Sequence, residues 1–274
     1  KTVPEFSHIE TSLADRLNIK IAFTKKRGGI PPKKQWQKIM QKLYYWSHWD
    51  LVAAYRWHNK RHPDNPFQYH AQVSKQYVDR FLSENYQELS DNGTFRPIDK
   101  KTGKETDRRD TNSIKRFGRK RLYYAIRMSM ATLLRPTNEL GSCKWSQYEP
   151  LKSPKYPDIT LALLETHQAK RSNNKMDPTR KRLAVGNYHS DLLFQTWRRI
   201  CKDYGYGSED DYIFPKWTTD KEKQSNDEKI KYREMSFSEM GRTFSLLLKR
   251  WNLHKTPDGA TITLYSSRHR AISD

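Results

Sequence analysis

Apolar residues recur at helical spacing in several stretches of the chain and predict a mainly α-helical fold. The stretch 33–59 has an aromatic face with Lys and Arg between the apolar positions, which predicts one or two helices. A second helical period covers residues 71–89. The strongest pattern covers about residues 113–134. We therefore expect a central helix in that last stretch, with one face buried.

The second half of the chain mixes extended and helical patterns. Segments 159–165 and 182–185 predict two strands, and the polar connection between them is rich in Lys and Arg. Ser190 is the predicted cap of the next helix, Ser236 opens a capping box before another, and a last helix is predicted to begin near Ser266. The predicted fold class is α+β, with helices around a small antiparallel sheet that includes a hairpin with a cationic tip.

Two prolines interrupt the helical pattern early in the chain. Pro63 and Pro66 each disfavour helix in the residue before them, so we predict a domain boundary at residue 64 and two units, 1–64 and 65–274. A polar stretch, 90–110, shows no apolar period. Its many Lys and Arg residues favour a solvated loop, with phosphate contact as the alternative.

The composition of the chain indicates which kinds of molecule it can bind. The chain has 52 Lys and Arg against 31 Asp and Glu, a net charge of +21, while 35% hydrophobic residues can still build a core. Such an excess favours a polyanion, with nucleic acid as the leading candidate. We see no membrane span or signal peptide, so we expect a cytoplasmic protein. Cys143 and Cys201 lack the spacing of a zinc site and imply no disulfide framework.

Two short motifs carry the candidate chemistry. Residues 134–140 (LRPTNEL), the first box, and residues 263–269 (TLYSSRH), the second box, each place an arginine after an apolar run. Pro136 can start a short second helix that runs towards Trp145. An arginine in such a position is costly unless its guanidinium reaches a carboxylate or a bound phosphate. For Arg135, an ion pair with Glu139 or Glu165 is the structural alternative to phosphate binding.

The order of these elements resembles the tyrosine recombinase (phage integrase) family. Residues 64–67 (DNPF) stand where that family has an Asn-Pro linker before its catalytic domain. The first box looks like the family's arginine box, although Glu139 follows Arg135 by four positions where three are usual. Lys170 is similar to the family's hairpin lysine, and Lys175 competes for that role.

The second box of the family is His or Lys followed three residues later by Arg-His. It looks like residues 265–269, with Tyr265 in place of the usual His or Lys. A tyrosine there leaves a hydroxyl donor and removes a general acid near neutral pH. The resemblance covers about residues 65–274, and residues 1–62 look like part of a helical core-binding domain.

The resemblance implies a site-specific recombinase that breaks and rejoins DNA through a 3′-phosphotyrosine, without metal or cofactor. The implied catalytic residues are Arg135, Lys170, Tyr265 and Arg268, and the supporting ones are Glu139 and His269. The nucleophilic tyrosine is expected downstream of the second box, beyond Asp274, so we expect residues 1–274 to bind DNA without cleaving it. The implied partner is double-stranded DNA, bound as a homotetramer in the active complex by a protein that is monomeric when free.

The resemblance also implies that the protein integrates a mobile element in a bacterial host cell.

The residues alone leave two other classes of protein open. A non-catalytic sequence-specific DNA-binding protein would have the same basic surface but no phosphate pocket shared by Arg135 and Arg268. A metal-dependent nuclease would require clustered carboxylates, and no Asp or Glu pair with metal-ligand spacing lies near the two boxes.

Overall fold

A computed structural model describes residues 29–84, 113–136, 139–153, 156, 158–167, 181–215 and 237–273. In these ranges the α-helices are α1 Lys33–Ser47, α2 Trp49–Arg61, α3 Lys75–Glu84, α4 Ser113–Thr132, α5 Ser190–Asp203, α6 Phe237–Arg250 and α7 Ser266–Ser273. The strands are β1 Tyr148–Lys152, β2 Thr160–His167 and β3 Lys181–Val185. The predicted α+β class, helices with a small antiparallel sheet, is confirmed.

The sheet has the order β1-β2-β3, and both pairs are antiparallel. The predicted hairpin is therefore present as β2 and β3, with His167 opposite Lys181 at the end that leads into the connection. Strand β1 was not predicted from the sequence. It contains Pro150 and lies at the edge of the sheet, where a proline does not remove a ladder hydrogen bond that the fold needs.

The main hydrophobic core surrounds the central helix α4. Helix α1 packs against α4 through buried residues three or four positions apart, and α5 packs against both α4 and β2. Trp197 on α5 is fully buried and stacks on Phe117 and Tyr124 of α4, with ring centroids 5.3 and 5.1 Å apart. Its Nε1 donates a 2.6 Å hydrogen bond to the carbonyl of Ile213. This packing holds α4, and the loop that follows it, in a fixed position.

A second hydrophobic cluster lies between α2 and α3 and contains Ala54, Val73, Val78, Phe81 and Leu82. Residues from α1 belong to the main core, whereas those from α2 and α3 form this second cluster. Each cluster thus combines residues from both sides of position 64. The division of the chain into units 1–64 and 65–274 stays a prediction.

Buried ion pairs connect the second cluster to the central helix. Asp50 on α2 is fully buried, and its carboxylate lies 2.9 Å from the Lys120 ammonium and 3.7 Å from the Arg116 guanidinium, both on α4. Arg116 also pairs with Asp79 on α3 at 2.7 Å. Burial alone would raise the pKa of Asp50, but the two cations outweigh it and lower that pKa. A buried carboxylate needs such partners to stay ionised.

Two local predictions are wrong within the described residues. The segment after Pro136 was predicted to form a short helix, but residues 139–142 form turns and only a 3₁₀ turn, Trp145–Gln147, follows. Ser190 begins α5 as predicted, yet its hydroxyl does not cap the helix. It accepts a hydrogen bond from the backbone N–H of Ala162 at 2.8 Å and so ties α5 to β2.

Candidate functional site

The first box lies where the central helix α4 ends. Leu133 has φ of 56°, a left-handed conformation that cannot continue a right-handed helix. The hydroxyl of Ser129 donates to the carbonyl of Leu134 at 2.8 Å, and the Leu134 side chain is fully buried. Arg135, the next residue, is half-buried. The end of α4 thus places its guanidinium at the edge of the core.

Glu139 stabilises the turn that carries Arg135. The Glu139 side chain is buried, and its Oε2 accepts a 2.7 Å hydrogen bond from the backbone N–H of Arg135. The backbone N–H of Leu140 closes the same turn on the Arg135 carbonyl at 3.0 Å. Within the described residues the Arg135 guanidinium has no ion pair, so neither Glu139 nor Glu165 is its carboxylate partner. The contact between Arg135 and Glu139 is made by the backbone.

The C-terminal end of β2, which leads into the hairpin connection, lies against this turn. The hydroxyl of Thr166 on β2 donates to the carbonyl of Glu139 at 2.9 Å. The thiol of Cys143 contacts the same carbonyl at 3.0 Å. The connection beyond β2 therefore starts beside the first box. Lys170 and Lys175, the predicted hairpin lysines, lie outside the described residues.

The second box forms the start of α7. The Ser266 hydroxyl accepts a 3.0 Å hydrogen bond from the backbone N–H of Thr263, and the Ser267 hydroxyl donates to the Leu264 carbonyl at 2.7 Å. These hydroxyls are buried, so they fix the direction in which the helix leaves the core. The predicted final helix near residue 266 is confirmed.

The side chains of the second box differ in exposure. Tyr265 is 38% exposed, whereas Arg268 and His269 are half-buried. The Nε atom of Arg268 is buried and has no hydrogen-bond partner among the described residues. A buried guanidinium N–H without an acceptor costs free energy, which a bound anion would recover. Arg116, which is paired with Asp50 and Asp79, also has a buried Nε atom without a partner, so this feature is compatible with an anion ligand and with a structural role.

The helix that carries the second box packs against the helix that leads to the first. Helix α7, which carries Arg268, packs against α4, whose C-terminal end leads to Arg135. The chain after β3 joins them there, because the backbone N–H of Asn187 donates to the carbonyl of Ala131 at 3.0 Å. In the part of the chain that the structure describes, neither arginine is paired with a carboxylate. Two half-buried guanidinium groups on packed elements favour an anionic ligand.

A groove beside the two boxes contains cationic residues that the sequence did not single out. Its volume is about 330 Å³, and Lys33, Arg127, His189 and Arg270 contribute to its walls. Arg127 could have been found from helical spacing, since it lies one turn before the Met130 and Ala131 positions that end α4. Lys33 and His189 carry no such local signal.

Buried titratable groups elsewhere show shifted pKa values. Burial lowers the pKa of His48 to about 4, and the nearby Lys120 ammonium adds to the effect. Burial raises the pKa of the Cys143 thiol to about 12, and that of Cys201 well above its usual value. Both cysteines are free thiols. The described ranges hold no group of His, Cys, Asp and Glu side chains that could bind a metal ion.

Comparisons with protein-family models, with curated proteins and with solved structures each find no match for this chain. Among the helices of the described ranges, none combines the length and the apolar character that crossing a bilayer requires. The assignment of a function therefore depends on the geometry and chemistry of the site.

Proposed function

We propose that this protein is a site-specific DNA recombinase of the tyrosine recombinase type, which integrates a mobile element in a bacterial host. The observation that carries the proposal is the pair of half-buried arginines, Arg135 and Arg268, without carboxylate partners in the described residues and located on packed elements. The net charge of +21 supports a polyanionic substrate.

In the proposed reaction a tyrosine hydroxyl loses its proton to solvent as its oxygen attacks a DNA phosphodiester. The oxygen–phosphorus bond to the 5′ oxygen breaks as the tyrosine–phosphorus bond forms, which leaves a 3′-phosphotyrosine. Arg135 and Arg268 bind the nonbridging oxygens and stabilise the charge of the pentacoordinate transition state. Lys170 donates a proton to the departing 5′ oxygen, so that the strand leaves as an alcohol.

The other residues of the boxes act on the arginines and the phosphate. Glu139 is a positioning residue, because its carboxylate holds the backbone N–H of Arg135. Tyr265 offers its hydroxyl to a nonbridging oxygen, a role that its partly exposed position permits. His269, the residue after Arg268 on α7, supports the same site. The reaction uses no metal and no cofactor.

The proposal extends to the organisation of the protein. Residues 65–274 form a recombinase-like catalytic domain and residues 1–64 form part of a helical core-binding domain. Both bind double-stranded DNA in the cytoplasm of the host, and four copies assemble on the DNA in the active complex. The attacking tyrosine follows the second box downstream, as the family resemblance implies.

Covalent trapping tests this function. A protein that continues through the downstream tyrosine is incubated with a nicked suicide duplex, and the covalent complex is measured on a denaturing gel. Arg135→Ala and Arg268→Ala each lower the covalent yield by about 10²-fold or more, the loss typical of one transition-state donor. Arg250→Ala, an exposed arginine at the end of α6, serves as the matched control and keeps the yield of the parent.

Duplex binding by the same variants separates catalysis from affinity. Both site variants keep most of the parent's affinity, because the other cations still bind the backbone. Full covalent yield by Arg135→Ala or by Arg268→Ala would refute the assignment. Duplex binding with no covalent complex in the parent would favour the non-catalytic DNA-binding protein, and activity that a chelator abolishes would favour a nuclease.

A further inference from the structure

The groove beside the two boxes is built from separate parts of the chain. Helix α1 contributes Lys33 and Gln37, α4 contributes Arg127, and α7 contributes Arg270. The chain between β3 and α5 adds Asn187 and His189. A cationic groove assembled from distant segments is a property of the tertiary structure and not of one basic run.

The charge of the groove has one sign. Lys33 and Arg127 are exposed, and Arg270 is half-buried. No Asp or Glu belongs to the groove lining as the structure describes it. Lys33 and Arg127 are like charges that line one groove, so the arrangement favours an anion that touches both of them.

The floor of the groove is apolar. It is formed by Met40, Met130, Ala131 and Leu193, and the methionines and Leu193 are half-buried. The Trp36 Nε1 lies 3.3 Å from the Met130 sulfur, which holds this part of the floor in place. A cationic rim over an apolar floor matches a sugar-phosphate chain, since the phosphates meet the cations and the sugars meet the floor.

The groove is distinct from the proposed phosphate site. Arg268 and Arg270 are two positions apart on α7, and residues with that spacing point about 200° apart around an α-helix. The two arginines therefore face different directions. Ala131 at the end of α4 lines the groove, and Arg135 follows shortly afterwards in the chain. The groove lining thus includes residues that lie within a few positions of both boxes along the chain.

We propose that this groove binds the sugar-phosphate backbone of duplex DNA next to the reacting phosphate, with Lys33 and Arg127 as phosphate contacts. The inference rests on the proposed function, because it takes duplex DNA as the substrate. The groove raises the affinity for DNA and positions the DNA backbone, whereas Arg135 and Arg268 act on the chemical step.

The salt dependence of duplex binding tests the groove. Fluorescence anisotropy with a labelled duplex is measured for the parent and for the double variant K33Q/R127Q over a range of salt concentrations. Each lost phosphate contact reduces the slope of log K against log salt by about 0.9, so the double variant loses about 1.8. Its affinity falls about tenfold at moderate salt if each contact contributes about 0.7 kcal/mol.

A matched control removes the same net charge elsewhere. Lys34 is next to Lys33 on α1 and Arg250 ends α6, and both are exposed outside the groove lining. The slope of log K against log salt for the variant K34Q/R250Q should differ from the parent's by less than about half the change that one phosphate contact makes. Arg127→Lys conserves the charge and should also keep the slope. Urea unfolding of each variant should match the parent within about 0.5 kcal/mol, since all four positions are exposed.

The outcomes separate the two proposals. Equal slopes of log K against log salt for K33Q/R127Q and K34Q/R250Q would overturn the proposed role of the groove and leave the recombinase proposal intact. Tighter competition by single-stranded DNA than by duplex of the same length would overturn the assignment of duplex as the occupant. Failure of the parent to bind duplex at low salt would refute the proposed function itself.

Discussion

Protonation of His48 should make this protein unstable in mild acid. His48 lies between α1 and α2 and is 5% exposed. Its ring stacks on Tyr44 with centroids 4.6 Å apart, and its Nδ1 is 2.7 Å from the Ser47 hydroxyl. Burial, with the Lys120 ammonium nearby, lowers its pKa from 6.5 to about 4. The folded protein therefore keeps this ring neutral at pH values where the unfolded chain binds a proton.

The sign and size of the effect follow from proton linkage. A histidine with a lowered pKa contributes stability above pH 6.5, and that contribution is lost as the pH falls towards 4. The loss is about 1 kcal/mol at pH 5.5 and about 2 to 3 kcal/mol at pH 4.5, relative to pH 7.5. Asp50 titrates below this range because its pKa is lowered too. His70 also has a lowered pKa, but it is present in both proteins compared below.

The assay compares the parent with His48→Phe, which keeps an aromatic ring and cannot titrate. Urea unfolding followed by tryptophan fluorescence gives the free energy of unfolding at several pH values. At pH 7.5 the variant should be less stable by about 1 kcal/mol, the contribution of the lost hydrogen bond to Ser47. At pH 4.5 it should be more stable than the parent by about 1.5 kcal/mol. Parallel pH profiles for the two proteins would refute the reasoning.

Two further predictions concern positions that the site and the sheet depend on. Glu139→Ala removes the acceptor of the Arg135 backbone N–H and should lower the covalent yield in the trapping assay about tenfold or more. Glu139→Gln keeps an oxygen acceptor and should recover most of that yield. Comparable yields for the two variants would contradict the positioning role. Gly186→Ala should destabilise the fold by about 2 kcal/mol, because a Cβ atom there would overlap the Ser190 side chain. Gly118→Ala on α4 serves as the comparison, because no atom lies within 4 Å of the added Cβ. It should raise the free energy of unfolding by up to about 1 kcal/mol in urea unfolding. Equal effects of the two substitutions would show that the Ser190 contact does not constrain Gly186.

Local periodicity was sufficient for most of the helices and for one hairpin. The apolar residues three and four positions apart predicted α1, α2 and α4 with ends within a few residues of those observed. The two boxes were also visible in the sequence, because an arginine after an apolar run is unusual whatever the fold. Strand β1 escaped prediction because its exposed positions and its proline carry little strand signal.

The arrangement of the site was decided by tertiary packing. The bond from the Arg135 N–H to the Glu139 carboxylate replaced the expected helix with a turn, a choice that propensities alone do not reveal. The groove required α1, α4 and α7 to meet, and no local pattern states which helix faces pack together. The sequence by itself therefore determined the elements and the residues with unusual chemistry, since both depend on near neighbours. Only the tertiary structure decided which of those residues share a surface, since that depends on contacts between residues far apart in the chain.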